Sequence, residues 1–233
     1  MKHKHIIIFA ALLFVVGVST YVYWTDFTKQ ETIKVTSSHD YPVAETIDDM
    51  TKQSDVVVLG EYTSFDSTWN MARNPDDPSQ PDEDNYTEGH LYNFKIVEVV
   101  KGNIPSETIK INLRYEETIP LITEQGKKEK IKNKDPLYQK PEFGHRYLLF
   151  LNKNKDFDHY YSAVEPFQIM IHKDGKAELK TNLTDKNITI QTLEVDGKKV
   201  VLENHAYREE FTDRISGKSL QEILDRIQDI TKQ

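Results

Sequence analysis

The stretch YNFKIVEVVKG, Tyr92–Gly102, alternates apolar and polar side chains over its first half. The apolar positions of that half are Tyr92, Phe94 and Ile96. Side chains two residues apart share one face of an extended chain, so this pattern predicts a strand with a buried side. The alternation then steps by one residue to Val97 and Val99, which predicts a bulge or bend within one long strand.

A second strand is predicted directly after the first. Lys101, Gly102 and Asn103 have the composition of a turn. The next apolar residues alternate again, at Ile109, Ile111 and Leu113. The two runs predict an antiparallel hairpin whose inner face is specified by its apolar residues.

Other short apolar runs extend the predicted sheet. The runs of strand length are Asp55–Gly60, Gly144–Leu151, Tyr160–Val164, Phe167–Ile171 and Ala177–Leu179. Asp196-Gly197 separates Ile188 and Ile190 from Val200 and Leu202, and an Asp-Gly pair between apolar alternations predicts a further hairpin.

Two helices are predicted at the ends of this β-rich region. Thr46 is a suitable N-cap for Ile47–Gln53, where Asp48 and Asp49 fall in the first turn. Ser219 and Glu222 form a capping box. The helix that follows has one apolar stripe, formed by Leu220, Ile223, Leu224, Ile227 and Ile230. The predicted class is mainly β (α+β), with a short N-terminal helix and a C-terminal amphipathic helix.

The composition excludes several classes of function. The 233 residues include 30 basic and 38 acidic side chains, for a net charge of -8 at pH 7, so non-specific nucleic-acid binding is not expected. The sequence has no cysteine, which rules out disulfides, thiolate metal sites and a cysteine nucleophile.

The N-terminus predicts a membrane segment. Residues 6–24 contain no charged side chain, and at about 1.5 Å per residue their helix would approach the thickness of a bilayer core. Lys2 and Lys4 precede this run, which predicts a cytoplasmic N-terminus. We therefore expect a transmembrane signal-anchor at residues 1–24, a stalk at 25–44 and an extracytoplasmic domain at 45–233. Secretion after cleavage of the leader is the alternative.

Two segments carry opposite charges. Asn74–Gly89 has three prolines and no basic residue, which predicts a solvated loop. Its carboxylates include Asp76, Asp77, Asp82, Glu83 and Asp84. An EF-hand loop starting at Asp82 would require Gly at position 87 and Glu at 93, where Thr87 and Asn93 stand, so only an irregular calcium site remains as an alternative.

The second charged segment, Glu117–Glu142, is also predicted to be a long loop. Its clustered lysines are Lys127, Lys128, Lys130, Lys132 and Lys134. A lysine cluster is attracted to anionic lipid headgroups or an anionic cell-wall polymer, although lysine-rich loops are also ordinary solvated surface. We predict that this cluster and the acidic carboxylates form the interaction surfaces.

The order of the predicted strands resembles a known group of domains. The segments are DVVVLGE (Asp55–Glu61), YNFKIVEVVKG, IKINL (Ile109–Leu113) and GHRYLLFL (Gly144–Leu151). Together they resemble small exported bacterial domains with an OB-like barrel of the netrin or TIMP type, over residues 46–171. The resemblance implies an OB-like barrel, or a related meander, that binds ligands across its strands or loops. Animal TIMP-type members inhibit metalloproteases through an N-terminal cysteine, and this chain has none.

No catalytic motif accompanies this pattern. The sequence lacks HExxH, G-x-S-x-G, a P-loop and G-x-G-x-x-G, and no cofactor is predicted. The expected function is a membrane-anchored extracytoplasmic binding or interaction module of a bacterial cell envelope. Its partner would be an envelope protein, an anionic lipid or a cell-wall polymer.

The alternative is an exported hydrolase or metalloprotein that uses scattered His and Asp or Glu residues. His145, His159 and a loop carboxylate are its candidate site residues. A pocket containing both histidines and two carboxylates would favour this alternative.

Overall fold

The computed structural model describes residues 32–37, 41–122, 128–187, 189–195 and 198–232. Over these ranges the chain is mainly β, as predicted. The strands are β1 (Thr32–Ser37), β2 (Val56–Asn70), β3 (Thr87–Lys101), β4 (Thr108–Ile122), β5 (Lys128–Lys134), β6 (Arg146–Lys153), β7 (Tyr160–Ser162), β8 (Gln168–Ile171), β9 (Ala177–Lys180), β10 (Thr189–Val195) and β11 (Lys198–Asn204). The helices are α1 (Ile47–Gln53) and α2 (Leu220–Thr231).

The described chain forms two compact units. The smaller unit contains the described residues of 32–36 and 190–203, and its sheet has the order β1-β11-β10. The predicted pairing of β10 with β11 is confirmed, while the Asp-Gly turn between them lies outside the described residues. β1 falls inside the stretch predicted to be a stalk, because strand pairing through the backbone does not require an apolar alternation.

The larger unit contains the described residues of 37–189 and 204–232. In its sheet β2 pairs with β3, β3 with β4, β4 with β7, β7 with β6, and β6 with β2. The pairings therefore return to the strand from which they start. β4 and β7 are parallel, and the other pairs of this ring are antiparallel. β8 pairs with β6 beside β7, and β9 pairs with β8.

β3 is the long irregular strand that its sequence predicts. Tyr92 and Phe94 are buried, whereas Val97 is 62% exposed, and register shifts interrupt the pairing of β3 with β2. The predicted antiparallel pairing of β3 with β4 is confirmed, but the turn residues Lys101–Asn103 do not directly join the paired ends of the two strands. Lys95 is opposite Thr108, so the second half of β3 extends beyond β4 and pairs with β2 instead. Gly102, with φ +83, ends the strand against the backbone of Asp55.

Aromatic rings form part of the hydrophobic core of the larger unit. Tyr62 makes edge-to-face contacts with Tyr92, Phe94 and Tyr147, with centroid distances of 5.0 to 5.9 Å. Its buried hydroxyl donates to Gln168 Oε1 at 2.8 Å, which satisfies a polar group inside the core. Gly60 allows Phe94 to approach, because a Cβ there would be 2.5 Å from the phenyl ring.

The two helices begin where the sequence predicts. Thr46 caps α1 by accepting from the Asp49 amide, and Lys101 Nζ closes its other end by donating to the carbonyls of Thr51 and Ser54 at 2.6 and 2.5 Å. The capping box of Ser219 and Glu222 begins α2. Ile223 and Ile227 are fully buried, so the centre of the predicted stripe packs on the core.

The structure corrects both predicted loops. The segment 117–142 is not one loop, since β4 continues to Ile122 and pairs with β5 over Glu116–Ile122 and Lys128–Lys134. The residues of β5 do alternate, because lysines occupy one face and Ile131 and Asn133 lie on the other. The pattern is hard to recognise because few of these residues are apolar. The segment 74–89 ends in β3, which already begins at Thr87.

The predicted membrane span lies outside the described residues. Among the described helices, none is both long and apolar enough to cross a bilayer. That finding does not cover residues 6–24, which are not among the described residues.

Candidate functional site

A cavity of about 530 Å³ lies where several elements of the larger unit meet. It is bordered by the end of β2, the β2–β3 loop, the middle of β4, the segment after β5 and the β6–β7 loop. The chain that follows β7, up to Gln168, and residues Tyr41 and Pro42 complete its wall. The volume is in the range of small-molecule sites.

One wall of the cavity is aromatic. Trp69 at the end of β2 contacts Phe157 and His159 of the β6–β7 loop, with centroid distances of 5.1 and 4.8 Å. The guanidinium carbon of Arg73 lies 4.8 Å from the Trp69 ring and 5.0 Å from the Phe157 ring. Arg73 of the β2–β3 loop therefore packs over both Trp69 of β2 and Phe157 of the β6–β7 loop, and this cation–π contact joins the two loops.

The indole of Trp69 is fixed by a neighbouring strand. Its Nε1–H donates to Asn112 Oδ1 at 2.8 Å, and Asn112 Nδ2 lies 3.5 Å from Met71 Sδ. Gly89 of β3 makes this arrangement possible, because a Cβ there would lie 2.4 Å from both Trp69 Nε1 and Asn112 Oδ1. The aromatic wall thus depends on β2, β3 and β4 together.

The cavity lining also includes three carboxyl groups, those of Asp135, Asp156 and Glu165. Asp135 accepts from the Tyr41 hydroxyl at 3.1 Å and from the Leu137 amide at 2.8 Å, and its Oδ2 lies 3.4 Å from Arg114 Nε. Burial, and next the negative charge of Asp135, raise the pKa of Glu165 to about 8. Ser162 donates to the Glu165 carboxyl and opposes this rise. Glu165 is therefore mostly protonated at neutral pH. Asp135, by contrast, is surrounded by two hydrogen-bond donors and the guanidinium of Arg114, which are the partners that an ionised carboxylate requires.

His159 is a neutral group in this cavity. Burial lowers its pKa, the negative charge of Asp158 opposes this shift, and the positive charge of Arg73 adds to it. Its Nε2 lies 3.3 Å from Asn154 Nδ2, and its ring stacks on Phe157 at 5.9 Å. The imidazole can accept or donate a hydrogen bond here without a net charge.

A second aromatic group adjoins the cavity at Tyr138. His90 stacks on Tyr115 at 4.1 Å, and its two ring nitrogens lie 3.0 Å from the Tyr138 hydroxyl and 2.9 Å from Glu88 Oε1. Lys134 Nζ lies 5.4 and 5.5 Å from the rings of Tyr115 and Tyr138. Burial raises the pKa of Tyr138, so its hydroxyl stays protonated and can donate.

The predicted lysine cluster lies mainly on β5, and several of its ammonium groups have partners within the chain. Lys132 Nζ lies 2.8 Å from Glu116 Oε1, Lys130 Nζ donates to the Asp84 carbonyl at 3.0 Å, and Lys134 contacts the two tyrosines. Lys127 is outside the described residues, and the side chain of Lys128 is not described. Lys130, Lys132 and Lys134, whose side chains are described, do not line the cavity.

The predicted acidic residues form local turns in the β2–β3 loop. Asp82 accepts from the amides of Asp84 and Asn85, and Asp77 accepts from Ser79. Asp76, Glu83 and Asp84 are exposed. Among the described residues, no group of three or more His, Asp or Glu side chains is arranged to hold a metal ion.

The two candidate histidines are not brought together. His159 lines the cavity with Asp135 and Glu165, whereas His145 precedes β6 and is not part of the wall. The sequence did not single out Trp69, Arg73, Asn112, Asp135 or Glu165. One signal was available, since Trp69 is the only tryptophan after Trp24. Aromatic residues of this kind are enriched in recognition surfaces.

Comparison with known proteins gave no matching family model, no matching curated protein and no matching solved structure.

Proposed function

We propose that the protein is a membrane-anchored extracytoplasmic module of a bacterial cell envelope, and that its cavity binds a saccharide segment of a cell-wall polymer. The ring of strands is, in this proposal, an OB-like barrel. The observation that carries the proposal is a single cavity lined by both aromatic rings and carboxyl groups.

The position of the cavity supports an OB-like site. In OB-like barrels, ligands contact the second and third strands and the loops that join strands one to two and four to five. If the strands of the ring alone are counted, in the order β2, β3, β4, β6 and β7, the corresponding loops are residues 71–86 and 154–159. Both contribute to the cavity through Arg73 and Phe157, and β4 contributes Asn112. This step is an analogy of architecture, so the ligand has to be argued from the side chains.

The side chains favour a saccharide. The flat C–H faces of a sugar ring match the rings of Trp69, Phe157 and Tyr161, which line one cavity. Sugar hydroxyls require donors and acceptors, and Asn154, Gln139 and Glu165 provide both kinds. The net charge of -8 disfavours an oligonucleotide, the other ligand that OB-like barrels commonly bind.

Trp69 offers a direct test. In the full-length chain in detergent micelles, Trp24→Phe leaves Trp69 as the one tryptophan, so its fluorescence reports on the cavity. Soluble fragments of purified bacterial cell wall should change this emission in a saturable way. Trp69→Ala should weaken retention on intact walls by about tenfold or more, the effect of losing a central aromatic contact.

Phe143→Ala is the matched control, because Phe143 is 48% exposed and lies outside the cavity wall. It should leave retention unchanged. Equal retention of wild type and Trp69→Ala would contradict the proposal.

An exported hydrolase is the second candidate, favoured by His159, Asp135 and Glu165 in one cavity. A protonated Glu165 has the state required of a general acid. Release of new reducing ends from wall polymer by the wild type, but not by Glu165→Gln, would establish hydrolysis in place of binding alone.

A further inference from the structure

Glu165 lines the cavity, and hydrogen bonds fix its position there. Its backbone N–H donates to the Pro42 carbonyl, and its own carbonyl accepts from the Ala44 amide, both at 2.9 Å. Ser162 donates to the side-chain carboxyl. Asp135 acts electrostatically on Glu165, Tyr41 is coupled to both carboxyl groups, and Arg114 lies beside Asp135. Arg73, Asp156 and His159 line the same cavity. The backbone of Glu165 is thus fixed by Pro42 and Ala44, and its carboxyl group is held by Ser162.

The nearby cations are committed to other partners. Arg114 lies against Glu117 and Asp135, and Arg73 lies over the rings of Trp69 and Phe157. Among the described residues, no basic side chain forms an ion pair with Glu165. A carboxyl group that lines a cavity beside another carboxylate is therefore left to be matched by a proton or by a ligand.

We propose that the saccharide bound in this cavity carries a protonated amino group, which lies against Glu165. This inference rests on the proposed function and specifies the chemical class of its ligand. An ammonium group donates hydrogen bonds to a carboxylate and also balances its negative charge. A hydroxyl group donates a hydrogen bond but leaves the charge unbalanced.

Cation binding at Glu165 is coupled to proton release. In the free protein the pKa of Glu165 is about 8, so at pH 7 about nine-tenths of the molecules hold a proton there. An ammonium group beside the carboxyl favours its ionised form and lowers this pKa. Binding at pH 7 should then release up to about 0.9 proton, and affinity should increase with pH, by at most tenfold per unit, until pH 8 is reached.

Two glycosides that differ in one group can test this inference. The probes are the 2-aminoethyl and 2-hydroxyethyl β-glycosides of N-acetylglucosamine, and the alkylamine of the first stays protonated well above pH 8. Titration calorimetry of the full-length protein at pH 7, in two buffers of different ionisation enthalpy, measures affinity and proton release together. The aminoethyl glycoside should bind at least tenfold more tightly and release protons, and the hydroxyethyl glycoside should release none.

The variant Glu165→Gln should lose both the proton release and the preference for the amine, while Glu98→Gln, at an exposed position on β3, should keep them. Equal affinities without proton release would overturn the inference. If neither glycoside binds while walls are still retained through Trp69, the inference fails and the proposed function stands. If Trp69→Ala also leaves wall retention unchanged, the proposed function fails as well.

Discussion

Gly89 determines how closely Trp69 and Asn112 can approach each other. A methyl group at this position would lie 2.4 Å from either partner atom, far inside van der Waals contact. The glycine is required here by space between neighbouring strands, since a glycine in a strand commonly marks a close approach. One missing side chain on β3 thereby fixes the orientation of an indole on β2.

We expect Gly89→Ala to break the hydrogen bond between Trp69 and Asn112. The added methyl group forces one of them to move, which should lower stability by roughly 1 to 3 kcal/mol and weaken wall retention. Urea unfolding and Trp69 fluorescence in the Trp24→Phe background would measure both effects. Glu98→Ala on the same strand serves as the control, and an unshifted emission spectrum in Gly89→Ala would contradict the expectation.

The buried carboxyl of Glu165 should make stability depend on pH. Its pKa rises from an ordinary value of 4.5 to about 8 on folding, so the folded chain holds this proton more tightly than the unfolded chain. Stability is therefore expected to fall as pH rises from about 4.5 to 8, because the unfolded state ionises first.

Glu165→Gln removes this penalty. Its melting temperature should exceed that of the wild type at pH 8, by roughly 2 to 4 °C for each kcal/mol gained, and the difference should shrink toward pH 5. Thermal melts at several pH values would show it. Parallel curves for the two proteins would mean that Glu165 is not protonated in the folded state.

At the scale of elements, α1 depends on a side chain from β3. Lys101 donates to two carbonyls at the helix C-terminus, where a cation also meets the negative end of the helix dipole. Burial lowers the pKa of Lys101, yet its donors remain matched by these carbonyls. The contact joins a seven-residue helix to the sheet.

Lys101→Met keeps the length of the side chain and removes its donors. We expect it to destabilise the protein by about 1 to 3 kcal/mol, the range for leaving buried acceptors without a partner. Chemical denaturation would measure the loss. Lys95→Met, on an exposed position of the same strand, should change stability by less than about 0.5 kcal/mol, and equal effects of the two substitutions would refute the capping role.

Substitution of the lysines in and beside β5 tests whether they form a binding surface. Replacing Lys127, Lys128, Lys130, Lys132 and Lys134 with Gln should reduce salt-sensitive retention on anionic lipid vesicles or anionic wall polymer. Exposed ion pairs such as Lys132–Glu116 contribute only about 0 to 1 kcal/mol, so the fold should persist.

A second variant with the same change of net charge separates local from general electrostatics. It replaces five exposed lysines away from the hairpin, namely Lys95, Lys153, Lys173, Lys199 and Lys218. Cosedimentation at increasing salt should distinguish the two proteins. If both lose retention equally, the hairpin has no specific role.

Local patterns predicted the elements, and long-range pairings determined the site. The Thr46 cap and the Ser219 capping box were readable because each depends on residues three positions apart. The pairing of β2 with β6 joins Val56 to Leu151, and no local signal specifies it. The same holds for Asp135 and Glu165, which lie on separate segments and meet only after the strands have paired. β5 was missed for a different reason. Its lysines alternate with only one apolar residue, Ile131, so the usual apolar pattern of a strand is absent.

At the scale of the whole molecule, the site can meet a cell-wall polymer only if the folded units lie outside the cell. The sequence supports that placement, because Lys2 and Lys4 precede an uncharged run of membrane length at residues 6–24. Positive residues before such a run favour a cytoplasmic N-terminus. The remaining chain, with the cavity, would then be exported.

Protease added to intact protoplasts should therefore remove an epitope placed after Gln233. An uncharged epitope at the N-terminus of the same chain should remain protected until the membrane is permeabilised, which controls for lysis. Changing Lys2 and Lys4 to Glu should reduce the fraction of correctly oriented chains, because it removes the charge bias that sets orientation. Release of a shortened, C-terminally tagged protein into the medium would instead establish cleavage of the leader. Protection of the C-terminal epitope in intact protoplasts would contradict export, and with it the access of the cavity to wall polymer.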